Sequence, residues 1–431
     1  MPQNGPSVDR RRFLQATSLA ALGAWGGRLP SAAAGDPARF NVGVGHNPVP
    51  YFATVRAIAT SGDWNPEAIA GKRVVIKPNL VQPATPESGT VTDAEVVRAI
   101  ADLSLQAGAS EVWIIEAGPD GANFEECGYG FFADYDPLVS LVDITNEPAT
   151  LTPVANGLAS REIWMPSFLF EENVYLISAA KMKVHKLTQV TLATKNIFGI
   201  PPLDRYEPPG RNGRFALHDR SLNESVADLN QARPFDFAVV DAIWAMEGTG
   251  PWGGDPVRLD LVFAGANPVA VDRVCLMAMG IPQARVQHLT YATLVGLGPG
   301  RLLDVNIRGD SFVPREFALP DWLPTASYPL ADPAAFNPSL GESTTIEYNL
   351  QFPCETKVEI VQGSPHETVL TVFRQLQDWL ERPPGTEVIP WDGRDDDGQI
   401  VPPGSYGVRV AVRGLSHRNI LYSFGWVDVL A

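Results

Sequence analysis

From about residue 40 to residue 310, short runs of Val, Ile, Leu and Phe alternate with stretches whose apolar residues recur every third or fourth position. The runs at Asn41–Gly45, Val74–Ile76, Val112–Ile115, Leu141–Ile144, Val174–Ile177, Phe237–Val240 and Leu259–Phe263 read as buried strands. Between them, Thr92-Asp93 opens a helix on which Val96, Val97, Ile100 and Leu103 share one face, and Ala107-Gly108 closes it. A second helix is expected from the Asn267 cap and Pro268 to Met279-Gly280, and a third pattern of helical spacing runs from Thr188 to Lys195, with Gly199 as its stop. Strands alternating with helices predict βαβ units, so the expected fold class is α/β with a largely parallel, Rossmann-like sheet over 38–315.

The texture changes twice after that. Residues 316–340 are rich in Pro and Ala and read as a linker. From Thr344 onward the chain alternates polar and apolar residues in six segments, TTIEYNL, TKVEIVQ, TVLTVF, TEVIPWDG, SYGVRVAV and YSFGWVDV. This spacing predicts a second, all-β unit over 341–431, an antiparallel sandwich.

The first residues predict export rather than fold. Asp9-Arg10-Arg11-Arg12-Phe13-Leu14 matches the twin-arginine pattern, an apolar run follows to Trp25, and Ala32-Ala33-Ala34 offers a cleavage site. Residues 1–34 are thus expected to be a signal peptide, and the mature protein to be periplasmic or extracellular. No later stretch is apolar for long enough to span a bilayer. A formal net charge of -16 argues against a nucleic-acid partner, which needs a basic face. Cys127, Cys275 and Cys354 lie far apart, which excludes a CxxC cluster or zinc framework.

Against that acidic background, Tyr175–Pro202 carries Lys181, Lys183, His185, Lys186 and Lys195 with no Asp or Glu. If the strand at Val174 continues through AAKMKVH, Lys181, Lys183 and His185 fall on one side and Met182 and Val184 on the other. Converging cations repel one another, and an anion relieves the repulsion. Other strand candidates also end in polar groups: Lys77-Pro78-Asn79 after Ile76, Glu116 after Ile115, Asp241 after Val240, with His46 on the same rim. In open parallel sheets, ligands bind at the carboxyl ends of strands. The expected ligand-binding set is therefore Lys77, Asn79, Glu116, Lys181, Lys195, Asn196 and Asp241, with Gly250 and Gly254 from the loop after Glu247 bringing backbone close to the ligand.

Lys183, His185 and Glu247 are the expected catalytic groups, although Glu247 fits equally a lysine partner; His218 and Asp272 are second candidates. A lysine-lined pocket repels a divalent cation, and no HxH or HExxH spacing occurs, so no metal site is expected. The functional expectation is a cleft for a small anionic ligand, with acid–base chemistry on a carboxylate or phosphate. The alternatives are capture of an anionic ligand or cofactor without turnover, or a cell-surface role through protein contacts of the C-terminal unit. The residues do not specify a cofactor.

The order KPNLV, KxKxH, TLATKNIFGIPP, His218, VVDAIWAMEGTGPWGG and NPVAVDRV resembles the family called domain of unknown function 362, over roughly residues 40–305. The resemblance implies an α/β domain and shared site positions at Lys77, Asn79, Lys183, His185, Lys195, Asn196, Asp241, Glu247 and Asp272. The tail, with WDGRDDDGQIVPPGSYGVRV, is similar to the immunoglobulin-like domain of flagellar hook-capping proteins, which implies a packing or adhesion module.

Overall fold

A computed structural model describes residues 40–118, 122–208, 213–321, 323–362, 370–415 and 419–431. The expected signal peptide lies outside the described residues.

The first unit is built on a sheet ordered β11-β1-β10-β9-β7-β2-β3-β4, with β8 paired to β7. Its strands are β1 (Phe40–His46), β2 (Arg73–Lys77), β3 (Glu111–Glu116), β4 (Val139–Asp143), β7 (Val174–His185), β8 (Gln189–Val190), β9 (Phe237–Glu247), β10 (Asp255–Gly265) and β11 (Val305–Gly309). The strands β5 (Ala149–Pro153) and β6 (Glu162–Pro166) form a separate hairpin. Neighbours β9-β7-β2-β3-β4 are parallel, as expected, but β10 runs antiparallel to both β9 and β1.

The sheet is therefore mixed, which corrects the largely parallel expectation. The reason lies in Gly248–Gly254: this glycine-rich stretch is a hairpin connection that turns β9 directly into β10, with Glu247 opposite Asp255.

Helices cover both faces. α1 (Pro50–Ser61) and α3 (Ala94–Gln106) pack on Val74, Ile76, Val112, Ile114, Ile177 and Val239; a short helix, α2 (Pro66–Ile69), lies between them in sequence. Asp93 caps α3 by accepting from the Glu95 amide. On the other face lie α6 (Phe215–Ala232), α7 (Pro268–Ala278) and α8 (Gln287–Leu294), after the single turns α4 (Leu192–Lys195) and α5 (Leu203–Tyr206). α7 starts as its sequence predicts, with the Asn267 side chain accepting from the Ala270 amide and Pro268 in the first turn.

Thr188–Lys195 is not a continuous helix. Gln189 and Leu192 adopt φ of 68° and 63°, left-handed values that break a helix before one turn forms at α4.

The second β unit holds β12 (Leu330–Asp332), β13 (Ala335–Phe336), β14 (Thr344–Leu350), β15 (Cys354–Gln362), β16 (Thr371–Arg382), β17 (Gly385–Trp391), β18 (Gly404–Gly414) and β19 (Ile420–Val429). They form two sheets, β12-β14-β17 and β13-β19-β18-β15-β16, around a shared core that includes Ile346, Tyr348, Val358, Trp391, Tyr406 and Val410. The segment expected as a linker supplies β12 and β13, which pair with β14 and β19.

The two units touch along α6, which packs on β19. The Asp228 carboxylate on α6 accepts the amides of Leu158, Ala159 and Ser160. Next in line, the Arg161 guanidinium lies 4.7 Å from the Trp426 ring and pairs with Asp428. No helix of the described residues is long and apolar enough to cross a membrane.

Candidate functional site

The alternation read from AAKMKVH holds along β7: Met182 and Val184 enter the hydrophobic core, and Lys181, Lys183 and His185 take the other side. All of these residues are buried. Each lysine is held differently. Lys181 Nζ meets Asp241 at 2.8 Å with neither side chain exposed. Asp241 also accepts from the amides of Asp93 and Ile243, so its oxygens are committed to tying α3, β7 and β9 together.

Lys77 Nζ meets Glu116 at 2.7 Å and also donates to the Pro78 carbonyl, while Glu116 accepts from the amides of Leu80 and Ala117. These are two closed ion pairs, and in both the carboxylate is spent.

Lys183 has no carboxylate of its own. Its Nζ donates to the Thr90 carbonyl at 2.6 Å, and burial, then the charges of Lys195 and Lys181, push it well below the usual lysine range. His185 is likewise held well below the ordinary histidine value, by burial first and then by Lys195, His218, Lys183 and His288. The only acid among the main influences on these two groups is Glu116, already bound to Lys77. Lys195, which is partly exposed, is lowered to about 8 by desolvation, and its Nζ lies 5.6 Å from the Phe198 ring.

Two further groups complete the cluster. The Arg214 guanidinium precedes α6 and is lowered to about 10 by burial; its Nε donates to the Pro201 carbonyl, and its buried Nη2 has no hydrogen-bond partner. His218 sits one turn into α6, edge-on to Phe198 with ring centres 4.9 Å apart.

The histidines are set as opposite tautomers. His185 Nδ1 accepts from the amides of Leu187 at 3.1 Å and Thr188 at 3.4 Å, so the proton of the neutral ring sits on Nε2. Left-handed Gln189 follows directly and starts β8, and left-handed Leu192 starts α4. His218 Nδ1 lies 3.1 Å from the Arg214 carbonyl, which can only accept, so Nδ1 carries the proton and Nε2 is the basic atom.

The remaining expected residues are structural in their contacts. Asn196 donates to the Lys77 carbonyl and the Ser178 hydroxyl and accepts from Asn79, whose own Oδ1 is buried without a partner. Asp272 accepts from the Ala193 and Thr194 amides and the Thr194 hydroxyl, pinning α4. Gly250 packs on the Val184 carbonyl, where a Cβ would come within 2.1 Å, and Gly254 packs on the Glu247 carbonyl. Gly199 passes over Lys77, where a Cβ would fall 3.0 Å from Cε. Glu247 follows Met246, the register partner of Lys183, and places its carboxylate on Arg315 at 3.1 Å and the Ala318 amide at 3.0 Å.

His46 is exposed on the far side of β10, and its amide donates to Asp310. Arg214 and His288 are the site groups that sequence reading passed over; the run of aromatics and His around Phe215 was the available signal for Arg214.

No group of three His, Cys, Asp or Glu among the described residues is placed to hold a metal ion. The three cysteines are free and buried.

These elements form an α/β unit with a polar, cationic cluster at the carboxyl ends of its parallel strands. Residues 74–277 match the model of the family described as Domain of unknown function (DUF362), which takes in every member of the cluster except His288. The chain is also similar to a thylakoid-associated protein of Synechocystis sp., 26% identical over 271 residues that cover 60% of this chain and 78% of that protein.

Two solved structures show slight likeness. An alkylpurine DNA glycosylase of Pseudomonas fluorescens gives a TM-score of 0.18 at 21% identity, covering 25% of this chain and 30% of the other. A β-glucosidase of Erythrobacter marinus gives 0.16 at 13%, covering 90% and 49%. Neither carries an argument about this protein.

Proposed function

We propose that the cleft at the ends of β2, β3 and β7 binds a small carboxylate or phosphate ligand and performs acid–base chemistry on it. One observation supports this reading above the others: Lys183, His185, Lys195 and Arg214 outnumber the acids around them, of which Glu116 and Asp241 are committed to Lys77 and Lys181, and Glu207, near Arg214, accepts from the Gly213 amide. Lys195 and Arg214, both partly exposed, hold the anion. His185 stays neutral and donates from Nε2 to a ligand oxygen, a role that a fixed tautomer suits better than proton abstraction. His218 Nε2 is the atom that takes up the proton. Glu247 has no part in this assignment, because its carboxylate is engaged by Arg315.

The twin-arginine pattern supports export of the folded protein, and the two sheets around Trp391 support an immunoglobulin-like module as an attached unit.

Binding of phosphate and of acetate, followed by titration calorimetry at pH 7, tests the first half of this proposal. The protein should bind at least one of them and lose about tenfold or more in affinity on Lys195→Met. A protein that binds neither refutes it. For the second half, small molecules retained by the native protein are identified by mass spectrometry and supplied as substrate. His218→Ala should stop turnover while retention falls only a few-fold; if turnover continues, His218 is not the base.

A further inference from the structure

Two aromatic side chains stand among the proposed anion-holding groups, and the roles above leave them unused. Phe198 and Phe215 are partly exposed, as are Lys195, Arg214 and His218 beside them. Measured contacts tie these five together. The Lys195 ammonium lies 5.6 Å from the centre of the Phe198 ring. His218 meets both rings, edge-on to Phe198 at 4.9 Å and tilted by 39° to Phe215 at 5.2 Å. The His218 Nδ1 lies 3.1 Å from the Arg214 carbonyl, and the Arg214 guanidinium donates to the Pro201 carbonyl on the segment that carries Phe198. Gly199, next along, passes over Lys77 at the end of β2.

Core packing accounts for part of this arrangement, since Phe198 leans on the cluster that includes Ile197 and Leu217. It leaves surface on both rings. A single phenyl ring half in solvent is ordinary, but two that meet one imidazole, with an ammonium over the first, form an apolar lining among charges. Acetate or phosphate would engage Lys195 and Arg214 and leave that lining wet. A charged group attached to an apolar body would cover it. A flat body gains more than a puckered one, because offset and edge-on ring pairs add to what burial alone supplies.

We infer that the ligand of this cleft is an aromatic oxyanion, a carboxylate or phosphate joined to a planar ring that packs on Phe198 and Phe215 while Lys195 and Arg214 hold its charge. This rests on the proposed reading of the cleft as an anion site. It extends that reading by naming the ligand class and two specificity residues.

Two probe series separate the ideas. Acetate, cyclohexanecarboxylate and benzoate form one, and ethyl, cyclohexyl and phenyl phosphate the other. Each is measured by titration calorimetry at pH 7 on the full chain and on the Lys195→Met, Phe198→Leu and Phe215→Leu variants. In at least one series the aromatic member should bind about tenfold more tightly than the smallest and about threefold more tightly than the saturated ring. Phe215→Leu or Phe198→Leu should cut the tenfold ratio to about threefold or less. Spectra of the wild type need no variant to fold: with phenylalanine rings labelled, the ring protons of the bound aromatic probe should show Overhauser contacts to phenylalanine ring protons.

Equal, Lys195-dependent binding within both series overturns the inference and leaves the anion reading standing. So does a saturated ring that binds as tightly as the aromatic one, a ratio that survives in both phenylalanine variants, or a bound aromatic probe without those contacts. Absence of Lys195-dependent binding by all six probes overturns both.

Discussion

Lys181 and Asp241 meet at 2.8 Å with neither side chain exposed, whereas Arg413 and Glu355 meet at 2.7 Å with about a third of each side chain in solvent. The same pairing serves different ends in the two β-rich units. In the C-terminal unit an apolar core surrounds Trp391 and Tyr406, and charge lies across β15 and β18, where part-exposed Glu355 meets Arg413 and buried Glu359 is matched by both Lys357 and Arg409. In the α/β unit, charge is taken into the interior, two pairs are closed, and further basic groups are left over. Ion pairs alone do not mark a functional region; a buried surplus of one sign does.

The largest effect that sharpens this contrast is expected from Asp241→Ala. It leaves the Lys181 ammonium buried and removes the acceptor of the Asp93 and Ile243 amides. A loss of about 3–5 kcal/mol is expected in urea unfolding. Glu355→Ala, on its exposed pair, should not move the midpoint measurably. If the two variants lose equally, the contrast between the units fails.

Next comes Lys195→Met. Anion affinity at pH 7 should fall by roughly ten- to a hundredfold, the worth of one charge-assisted contact. Stability should hold or rise, because an uncompensated cation has gone. A destabilised variant would mean that Lys195 serves the fold rather than a ligand.

The same lysine sets a pH dependence. Its value of about 8 in the folded protein lies below the unfolded value of about 10.4. Between these limits the unfolded chain holds the extra proton, so this group adds stability as pH rises from about 8 toward 10.4. Anion affinity should decline over the same range as the ammonium is lost. Thermal melts of wild type and Lys195→Met from pH 7.5 to 10 isolate the contribution as their difference. A constant difference across that range argues against the lowered value.

The smallest expected effect is that of His185→Gln, which keeps a donor and costs about fivefold in anion affinity, with no new pH dependence between pH 6 and 7.5. A large loss in that range would mean that the ring acts as a titrating group.

Much of the α/β unit was legible in the chain. The alternation of AAKMKVH, the cap at Asp93 and the Asn267-Pro268 start are local signals, and local physics decides them. The polar residues after Ile76 and Ile115 do lie at strand ends, whereas Asp241, after Val240, sits within β9 opposite Lys181.

Three features depended on distant segments and were not legible. Glu247 reads as a catalytic acid or the partner of a nearby lysine, and the Arg315 that donates to it comes 68 residues later. The glycines from Gly248 to Gly254 suggested approach to a ligand, while the 11-residue runs on both sides were the overlooked sign of a long hairpin. His288 sits in VQHLTYATL, where nothing separates it from an ordinary helix residue until α8 is packed against the rest of the molecule.

α6 reaches from the cationic cluster to the second β unit. Its first turn carries His218 beside Phe198, and its later turns carry Asp228 and lie against β19. Ser221, with φ of -175° and ψ of 123°, kinks the helix between the two, so the last strand steadies the turns that carry Asp228 rather than the turn of His218, and trimming the tail would uncover that face. Any shortened version designed for crystallography or screening should therefore keep the chain through Val429.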